Sequence, residues 1–145
     1  MKLVIQRVTK ASVEVENKII GQIEKGFLVL LGVGPEDNYE TADFLVEKLC
    51  NLRVFEDENQ KMNLSVQDIK GEILVVSQFT LAGDTSRGNR PGFDSAAKPD
   101  VAKHLYEYFS EQLKTYDIKI QNGIFQADMQ VELINDGPVT FMLEK

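Results

Sequence analysis

The sequence has 145 residues, about the size of one domain, and 43% of them are hydrophobic, which is enough to fill a core. No apolar run approaches the roughly 20 residues of a membrane span, and the opening segment turns polar too early for a signal peptide. We therefore expect one cytoplasmic domain over residues 1–145 and no membrane association. The net charge of −7 argues against broad, non-specific binding to nucleic acid, because such binding needs many cationic contacts with phosphates.

The first third of the chain is predicted to consist of β-strands. Leu3–Val8 is rich in β-branched residues, and Ser12–Glu16 alternates apolar with polar side chains. After a short polar turn, Ile19–Ile23 is expected to return as a hairpin partner, and Gly26–Val33 has the apolar character of a buried strand. The order of these segments favours a meander.

Two helices are predicted further along. The first is capped by Asp37 or Asn38 and has apolar residues at helical spacing, namely Ala42, Leu45, Val46, Leu49 and Leu52. The single cysteine, Cys50, falls among them, so we expect it in the core, and a disulfide or a cysteine metal site is excluded by count. The second helix begins at Pro99, and its apolar stripe comprises Val101, Leu105, Tyr108, Phe109 and Leu113.

Short strands make up most of the remaining chain, separated by polar turns. They are predicted at Arg53–Glu56, Glu72–Ser77, Ile118–Ile120, Met129–Ile134 and Val139–Leu143. Strands outnumber helices and do not alternate with them regularly. This order predicts a mixed α/β fold, in which a curled, mostly antiparallel, barrel-like sheet packs with two main helices.

A long loop separates the sixth predicted strand, Glu72–Ser77, from the second helix. Residues 82–98 hold three glycines and a proline, too many breakers for a regular element, and a loop this long inside a compact domain is usually functional. Basic residues gather in this loop and the helix after it: Arg87, Arg90, Lys98 and Lys103. They could hold a small nucleic-acid end, or they could simply be scattered charge on a solvated loop.

Several common kinds of active site are absent from the sequence. It has no glycine-rich nucleotide fingerprint, no phosphate-binding loop and no paired histidines for a metal, so we expect neither cofactor nor metal. A Ser-His-Asp relay would have to use the only histidine, His104, for which no acidic or hydroxyl partner is indicated. A partly exposed helix residue explains His104 equally well.

Two segments could carry chemistry. Ser77–Leu81 ends an apolar strand and places two hydroxyls, an amide and free backbone donors beside the loop, although the same residues could simply pack and satisfy local backbone. Asn135–Thr140 contains Gly137-Pro138 between two predicted strands. That pair could be a tight turn, or it could present two neighbouring carbonyls to a ligand, since glycine has no side chain and proline fixes the backbone direction.

At these two segments the chain resembles the D-aminoacyl-tRNA deacylases, also called D-tyrosyl-tRNA deacylases. Both family signatures are complete, in order and at the usual spacing, and the likeness covers the whole chain. It also includes Ile5–Val8, the loop from Gly83-Asp84 to Arg90-Pro91, Leu105-Tyr106 and Ala127–Met129. Two positions depart from the family pattern: Gly92, where serine often follows Arg-Pro, and Gln126, where a smaller residue is common.

The resemblance implies a homodimer with two active sites at the subunit interface. Each site is expected to be completed by Gly137 and Pro138 of the other subunit, joined by a cis peptide bond and oriented by Arg7. Their carbonyls would exclude an L side chain at the substrate's α-carbon while a D side chain points elsewhere, so selection is by rejection. Glycine would pass this filter, which makes glycyl-tRNA an expected second substrate.

The first motif is implied to bind the 3′ end of an aminoacyl-tRNA. Ser77, Phe79 and Thr80 would hold the terminal adenosine, mainly through backbone groups and hydroxyls, with Gln78 and Thr80 positioning the reaction and Met129 also contacting substrate. Hydrolysis is expected to use the tRNA's own 2′-hydroxyl and a positioned water, with the protein supplying geometry and polar stabilisation. Two alternatives stay open: Thr80 as a covalent nucleophile, and a non-catalytic dimeric module that binds nucleotide ends or a protein.

Overall fold

The computed structural model describes all residues, Met1–Lys145. Eight strands and two helices follow one another along the chain. In order they are β1 Lys2–Val15, β2 Lys18–Ile23, β3 Gly26–Gly32, α1 Tyr39–Cys50, β4 Phe55–Glu56, β5 Met62–Leu64, β6 Glu72–Ser77, α2 Pro99–Lys114, β7 Lys119–Asn122 and β8 Gln130–Glu144. A single 3₁₀ turn, Phe79–Ala82, follows β6.

The long first strand organises the sheet. One edge of β1 pairs with β8 along most of its length, and the other edge pairs first with β3 and then, beyond residue 10, with β2, all antiparallel. Two predictions were therefore wrong: the segments Leu3–Val8 and Ser12–Glu16 are one strand, and β3 pairs with β1 rather than with β2, so the region is not a meander. The strand continues through the exposed pair Thr9-Lys10 because its neighbours supply the backbone hydrogen bonds.

The remainder of the sheet is parallel. β6 pairs with β3 and with β7 in the parallel direction, and each of these connections crosses over through a helix, α1 or α2. Three antiparallel pairings and two parallel ones make up this six-stranded sheet, and β4 and β5 form a separate antiparallel pair. The predicted fold class, a mixed and mostly antiparallel sheet with two helices, is confirmed. As a result, the carboxyl ends of β3 and β6 lie side by side.

The sheet has a core on each face. On one face, α1 and α2 cover a large apolar cluster in which the rings of Phe27 and Phe55 lie 4.9 Å apart. On the other face, the sheet curls so that Val131 and Leu133 of β8 cover a smaller cluster around Leu74. Curling over a second core explains the barrel-like character, because β8 can shield apolar side chains without a further helix.

Both helices begin near their predicted starts. Asn38 caps α1 through its side chain, which accepts from the Thr41 N–H at 2.9 Å, whereas Asp37 accepts from the Gly34 N–H. Pro99 opens α2 as expected, but Val101 is exposed, so its place in the predicted apolar stripe was wrong. Tyr106, which was not assigned to the stripe, is buried because its side chain faces the sheet. Neither helix is long and apolar enough to cross a membrane.

The only cysteine is predicted to be inert in the folded protein. Cys50 is fully buried at the end of α1, as expected, and burial raises the pKa of its thiol to about 12. Because the thiolate is the reactive form, we expect iodoacetamide at pH 8 to leave Cys50 unmodified in native protein and to alkylate it fully in 8 M urea. Mass spectrometry of the two samples checks this, and rapid native labelling would contradict the burial.

Candidate active site

The first motif lies where a parallel strand ends. Ser77 is the last residue of β6, and the Gln78 N–H donates to the Leu31 carbonyl of β3 at 2.8 Å. The chain then turns sharply through the 3₁₀ turn, which leaves Phe79 and Thr80 exposed. The carboxyl ends of parallel strands are a common place for ligand sites, because the strand backbone ends there with side chains and free backbone groups facing a crevice.

The hydroxyl of Thr80 has one polar side-chain partner. The Gln78 amide nitrogen donates to it, and no histidine, lysine or carboxylate lies within hydrogen-bonding distance. A Ser-His-Asp relay through His104 is also absent, because that ring contacts the Tyr39 hydroxyl on the outer side of the helices. An amide cannot take the proton of a hydroxyl, so Thr80 has no base to activate it.

A cavity of about 590 Å³ opens beside the motif. Its walls come from the motif itself, from the start of α2 and from the segment before β8. The lining residues are Ser77, Gln78, Phe79, Ala96, Ala97, Pro99, Ala102, Phe125, Gln126, Ala127, Met129 and Val131. The volume lies within the usual range for small-molecule and cofactor sites, and a mostly apolar lining with a few polar groups is typical of them.

Sequence reasoning found only part of this cavity. Ser77, Gln78, Phe79 and Met129 were predicted site residues and do line it. The alanines were missed: Ala96, Ala97, Ala102 and Ala127 leave the space that larger side chains would fill. Four alanines grouped on either side of Pro99 and before Met129 were the only available signal, and alanine alone has no chemical signature.

A buried polar network connects the strand that carries the motif with α2 and β7. The Tyr106 hydroxyl lies 2.9 Å from the Val75 carbonyl of β6 and 3.3 Å from the Gly123 carbonyl, and it accepts from the Asn122 amide. Asn122 also donates to the Ser110 hydroxyl at 2.7 Å. Burial raises the pKa of Tyr106, so its proton is retained and the hydroxyl can donate at neutral pH. These bonds hold α2, β6 and the end of β7 together, and two of these elements, α2 and β6, contribute residues to the cavity lining.

The second motif is not the turn between two strands that the sequence suggested. β8 runs unbroken from Gln130 to Glu144, so the predicted strands Met129–Ile134 and Val139–Leu143 are parts of one strand. Val8 pairs with Asn135 and Gln6 with Thr140, which leaves the residues 136–139 opposite Arg7 alone. The segment is thus an enlarged β-bulge, with four residues opposite one, and bulges often redirect the backbone next to functional sites.

The backbone of this bulge has an unusual conformation. The Gly137-Pro138 peptide bond is cis, and Gly137 has a φ of +136°, which L side chains rarely adopt. The Asn135 amide donates to the Thr140 hydroxyl at 2.9 Å, and its oxygen accepts from the Val139 N–H at 2.8 Å. The Asn135 side chain thereby bridges the two ends of the bulge.

Arg7 holds the bulge from the opposite strand. Its guanidinium is buried and donates to the carbonyls of Asp136 at 3.0 Å and Val54 at 2.6 Å. The carboxylates of Asp136 and Glu56 lie 3.5 and 3.8 Å away. Within one protomer Arg7 therefore bonds the carbonyl just before Gly137, not the carbonyls of Gly137 or Pro138. The planar guanidinium, with several N–H donors, is suited to bonding two separate carbonyls at once.

The two motifs do not meet within this chain. No residue of the bulge lines the cavity, and Gly137 and Pro138 are both exposed. The chain also has no group of three or more His, Cys, Asp or Glu side chains arranged to hold a metal ion.

Comparison with known proteins decides the family. The family model described as D-Tyr-tRNA(Tyr) deacylase matches residues 4–144. The chain belongs to this D-aminoacyl-tRNA deacylase family. It is 61% identical to the D-aminoacyl-tRNA deacylase of Geotalea daltonii and 58% identical to that of Thermosipho africanus, over 99% of this chain and 96% and 97% of those proteins. The family resemblance noted from the motifs, and the enzyme class that it implied, are confirmed.

Two solved structures extend the comparison. One, described as c-Myc DNA Unwinding Element Binding Protein, aligns with a TM-score of 0.95 at 49% identity and covers 100% of this chain and 99% of that one. The other, described as a probable eukaryotic D-amino acid tRNA deacylase, aligns with a TM-score of 0.83 at 18% identity over 98% and 97% of the two chains, which shows a shared fold.

Proposed function

We propose that this deacylase hydrolyses the ester bond of D-aminoacyl-tRNAs, releasing free tRNA and the amino acid. The observation that carries the proposal is the cavity beside Ser77–Thr80, since it places the family's first motif at the mouth of a pocket large enough for an aminoacylated adenosine. The net charge of −7 agrees with capture of only the single-stranded 3′ end rather than the tRNA body. A cytoplasmic location stays a prediction that follows from this substrate.

Recognition of the adenosine is proposed to rest on main-chain groups and apolar walls. Ser77 and Phe79 would bind the ribose and ester through backbone and hydroxyl groups, while Met129 and the alanines contact the base. Such a pocket reads the amino-acid side chain weakly, so it would accept many D residues.

Discrimination between D and L esters is assigned to the bulge of a second copy. Gly137 and Pro138 are exposed and lie outside their own cavity, so they are free to complete the cavity of a partner in a homodimer. The outward side chains Ile134 and Met142 of the same strand are 48% and 67% exposed, which leaves apolar area for such a contact. An L side chain would collide with the bulge, whereas a glycyl ester would pass and be hydrolysed as well.

The chemistry is proposed to come mainly from the substrate. The only polar partner of the Thr80 hydroxyl is an amide, and His104 lies outside the cavity, so neither forms a nucleophile and base pair. The 2′-hydroxyl of the terminal ribose would assist a positioned water, with Gln78 and Thr80 orienting the ester. An activated aminoacyl ester asks little of protein side chains, which is consistent with such a site.

The decisive experiment follows the decay of D-tyrosyl-tRNA and L-tyrosyl-tRNA side by side, with and without EDTA. We expect rapid loss of the D ester alone, at the same rate in the chelator. Binding of both esters without loss of either, at saturating protein, would instead identify a non-catalytic module.

Replacing Thr80 by alanine tests the covalent alternative. We expect Thr80→Ala to retain deacylation of D-tyrosyl-tRNA within about tenfold of the unmodified enzyme, because the loss of one positioning hydrogen bond costs about 0.5–1.5 kcal/mol. Single-turnover rates give the comparison, and Thr41→Ala is the matched control, at a half-buried threonine of α1 whose hydroxyl donates to Asn38. Retained turnover would eliminate Thr80 as a nucleophile, whereas a fall to the uncatalysed rate would contradict the expected positioning role.

A further inference from the structure

Two aromatic rings lie exposed in contact with each other at the rim of the cavity. Phe79 is 58% exposed and Phe93 is 38% exposed. Their ring centroids are 4.9 Å apart, with the planes inclined by 52°. Only Phe79 lines the cavity itself, so Phe93 extends the apolar surface outward from its mouth. An adjoining pair of exposed aromatics beside a pocket is typical of a binding surface.

The loop holds Phe93 in this position through defined contacts. Asp84 and Gly92 exchange backbone hydrogen bonds of 2.8 and 2.9 Å, which close residues 84–92 into a smaller loop just before Phe93. The Phe93 ring then packs over Gly83, where a Cβ would lie 3.3 Å from Cε1. The position of the ring is therefore set by the folded loop.

The same loop supplies positive charge. Residues 83–98 carry three basic and two acidic side chains, in a chain whose net charge is −7. Arg87 and Arg90 are exposed and take part in no ion pair. The carboxylate of Asp84 is occupied by the Ser86 N–H, which lowers its pKa. The arginines and Phe93 thus belong to one loop, and aromatic rings combined with positively charged groups are the usual means of binding single-stranded nucleic acid.

We propose that Phe79 and Phe93 form a stacking subsite for the base of the nucleotide that precedes the terminal adenosine, with Arg87 and Arg90 beside its phosphate. This inference rests on the proposed function, because it takes the cavity as the adenosine site. The polynucleotide must leave an adenosine in the cavity through the rim, where these rings lie. Stacking is tolerant of base identity, so the subsite would strengthen binding of every tRNA end alike.

The test compares two substrates that differ only in the upstream nucleotides, D-tyrosyl-tRNA and D-tyrosyl-adenosine. We expect Phe93→Ala to raise KM for the tRNA ester about tenfold more than it raises KM for the adenosine ester, as for the loss of one stacked base. Phe93→Trp should keep the tRNA preference and Phe93→Leu should lose it, since leucine fills space without a ring. Phe44→Ala, at another exposed ring, 45% exposed on α1, is the control and should change neither value.

A substrate variant isolates the base itself. On a D-tyrosyl RNA with an abasic ribose before the terminal adenosine, Phe93→Ala should not raise KM further. The stacking interaction needs both the ring and the base, so removing the second partner costs nothing more. Equal penalties on the tRNA and adenosine esters would overturn the subsite while leaving the deacylase function intact. A Phe93→Ala protein with a changed sedimentation coefficient would also overturn it, by making the rings a contact between copies. Failure of the unmodified enzyme on both D esters would refute the proposed function instead.

Discussion

Replacing Gly137 by alanine should lower the preference for D-tyrosyl-tRNA over L-tyrosyl-tRNA at least tenfold. An added Cβ would lie 2.6 Å from Val139 Cγ2 and 3.2 Å from an Arg7 guanidinium nitrogen, and the φ of +136° is strained for any L side chain. Such strain costs about 1–3 kcal/mol, so the bulge must shift, and its two carbonyls shift with it. The ratio of kcat/KM values for the two esters measures the effect.

Gly88→Ala provides the matched control for this variant. Gly88 also has a positive φ, +77°, but nothing lies within 4 Å of its Cβ position. It should therefore share the backbone strain without disturbing D over L discrimination. If Gly137→Ala leaves both discrimination and affinity unchanged, the bulge has no part in selecting the substrate.

Mixed dimers of two variants with different defects test whether the bulge acts across subunits. In a dimer of Gly137→Ala with Ala102→Phe, which fills the cavity, one site would combine an intact cavity with an intact bulge from the other chain. Coexpression should therefore restore D-specific hydrolysis to about half the specific activity per heterodimer. Purely additive residual activities would mean that the bulge serves its own protomer.

Replacing Arg7 by methionine should reduce the free energy of unfolding by about 2–4 kcal/mol and lower deacylation as well. The side chain is 6% exposed and bonds two carbonyls that would lose their donor, while the nearby carboxylates of Asp136 and Glu56 would lose their counter-charge. Methionine retains much of the apolar volume, so the loss reports mainly on the polar contacts. Urea titration gives the stability, and kcat/KM on D-tyrosyl-tRNA gives the activity.

Two further variants serve as controls for the effect of Arg7→Met on stability and activity. Arg7→Lys keeps the charge but not the planar fork, so it should recover stability only in part and activity less. Lys2→Met removes an exposed pair with Glu144 on the same two strands and should change stability by under about 1 kcal/mol. An Arg7→Met protein as stable as Lys2→Met would refute the structural role.

Local sequence patterns predicted the elements correctly where the element's own residues determine its secondary structure. The apolar run Glu72–Ser77 was predicted with its observed bounds, and Pro99 began the second helix as expected. The predictions of strand boundaries failed where pairing with a neighbouring strand stabilises residues that are unfavourable in a β-strand. Thr9 and Lys10 interrupt the apolar alternation, yet β1 continues because β8 pairs with it there. Gly137 and Pro138 are two strand breakers, and β8 tolerates them in an unpaired bulge because pairing with β1 holds the strand on both sides of it.

The sequence by itself determined the family, the mixed fold and the residues of both motifs, because these depend on side-chain types at fixed spacing along the chain. Tertiary structure alone decided that four small alanines enclose a cavity next to Ser77, and that Arg7 bonds Asp136 and Val54 rather than the two carbonyls of the bulge. It also decided that the bulge lies outside its own cavity. Empty space and the direction of a carbonyl arise from elements far apart in sequence, so no local pattern encodes them.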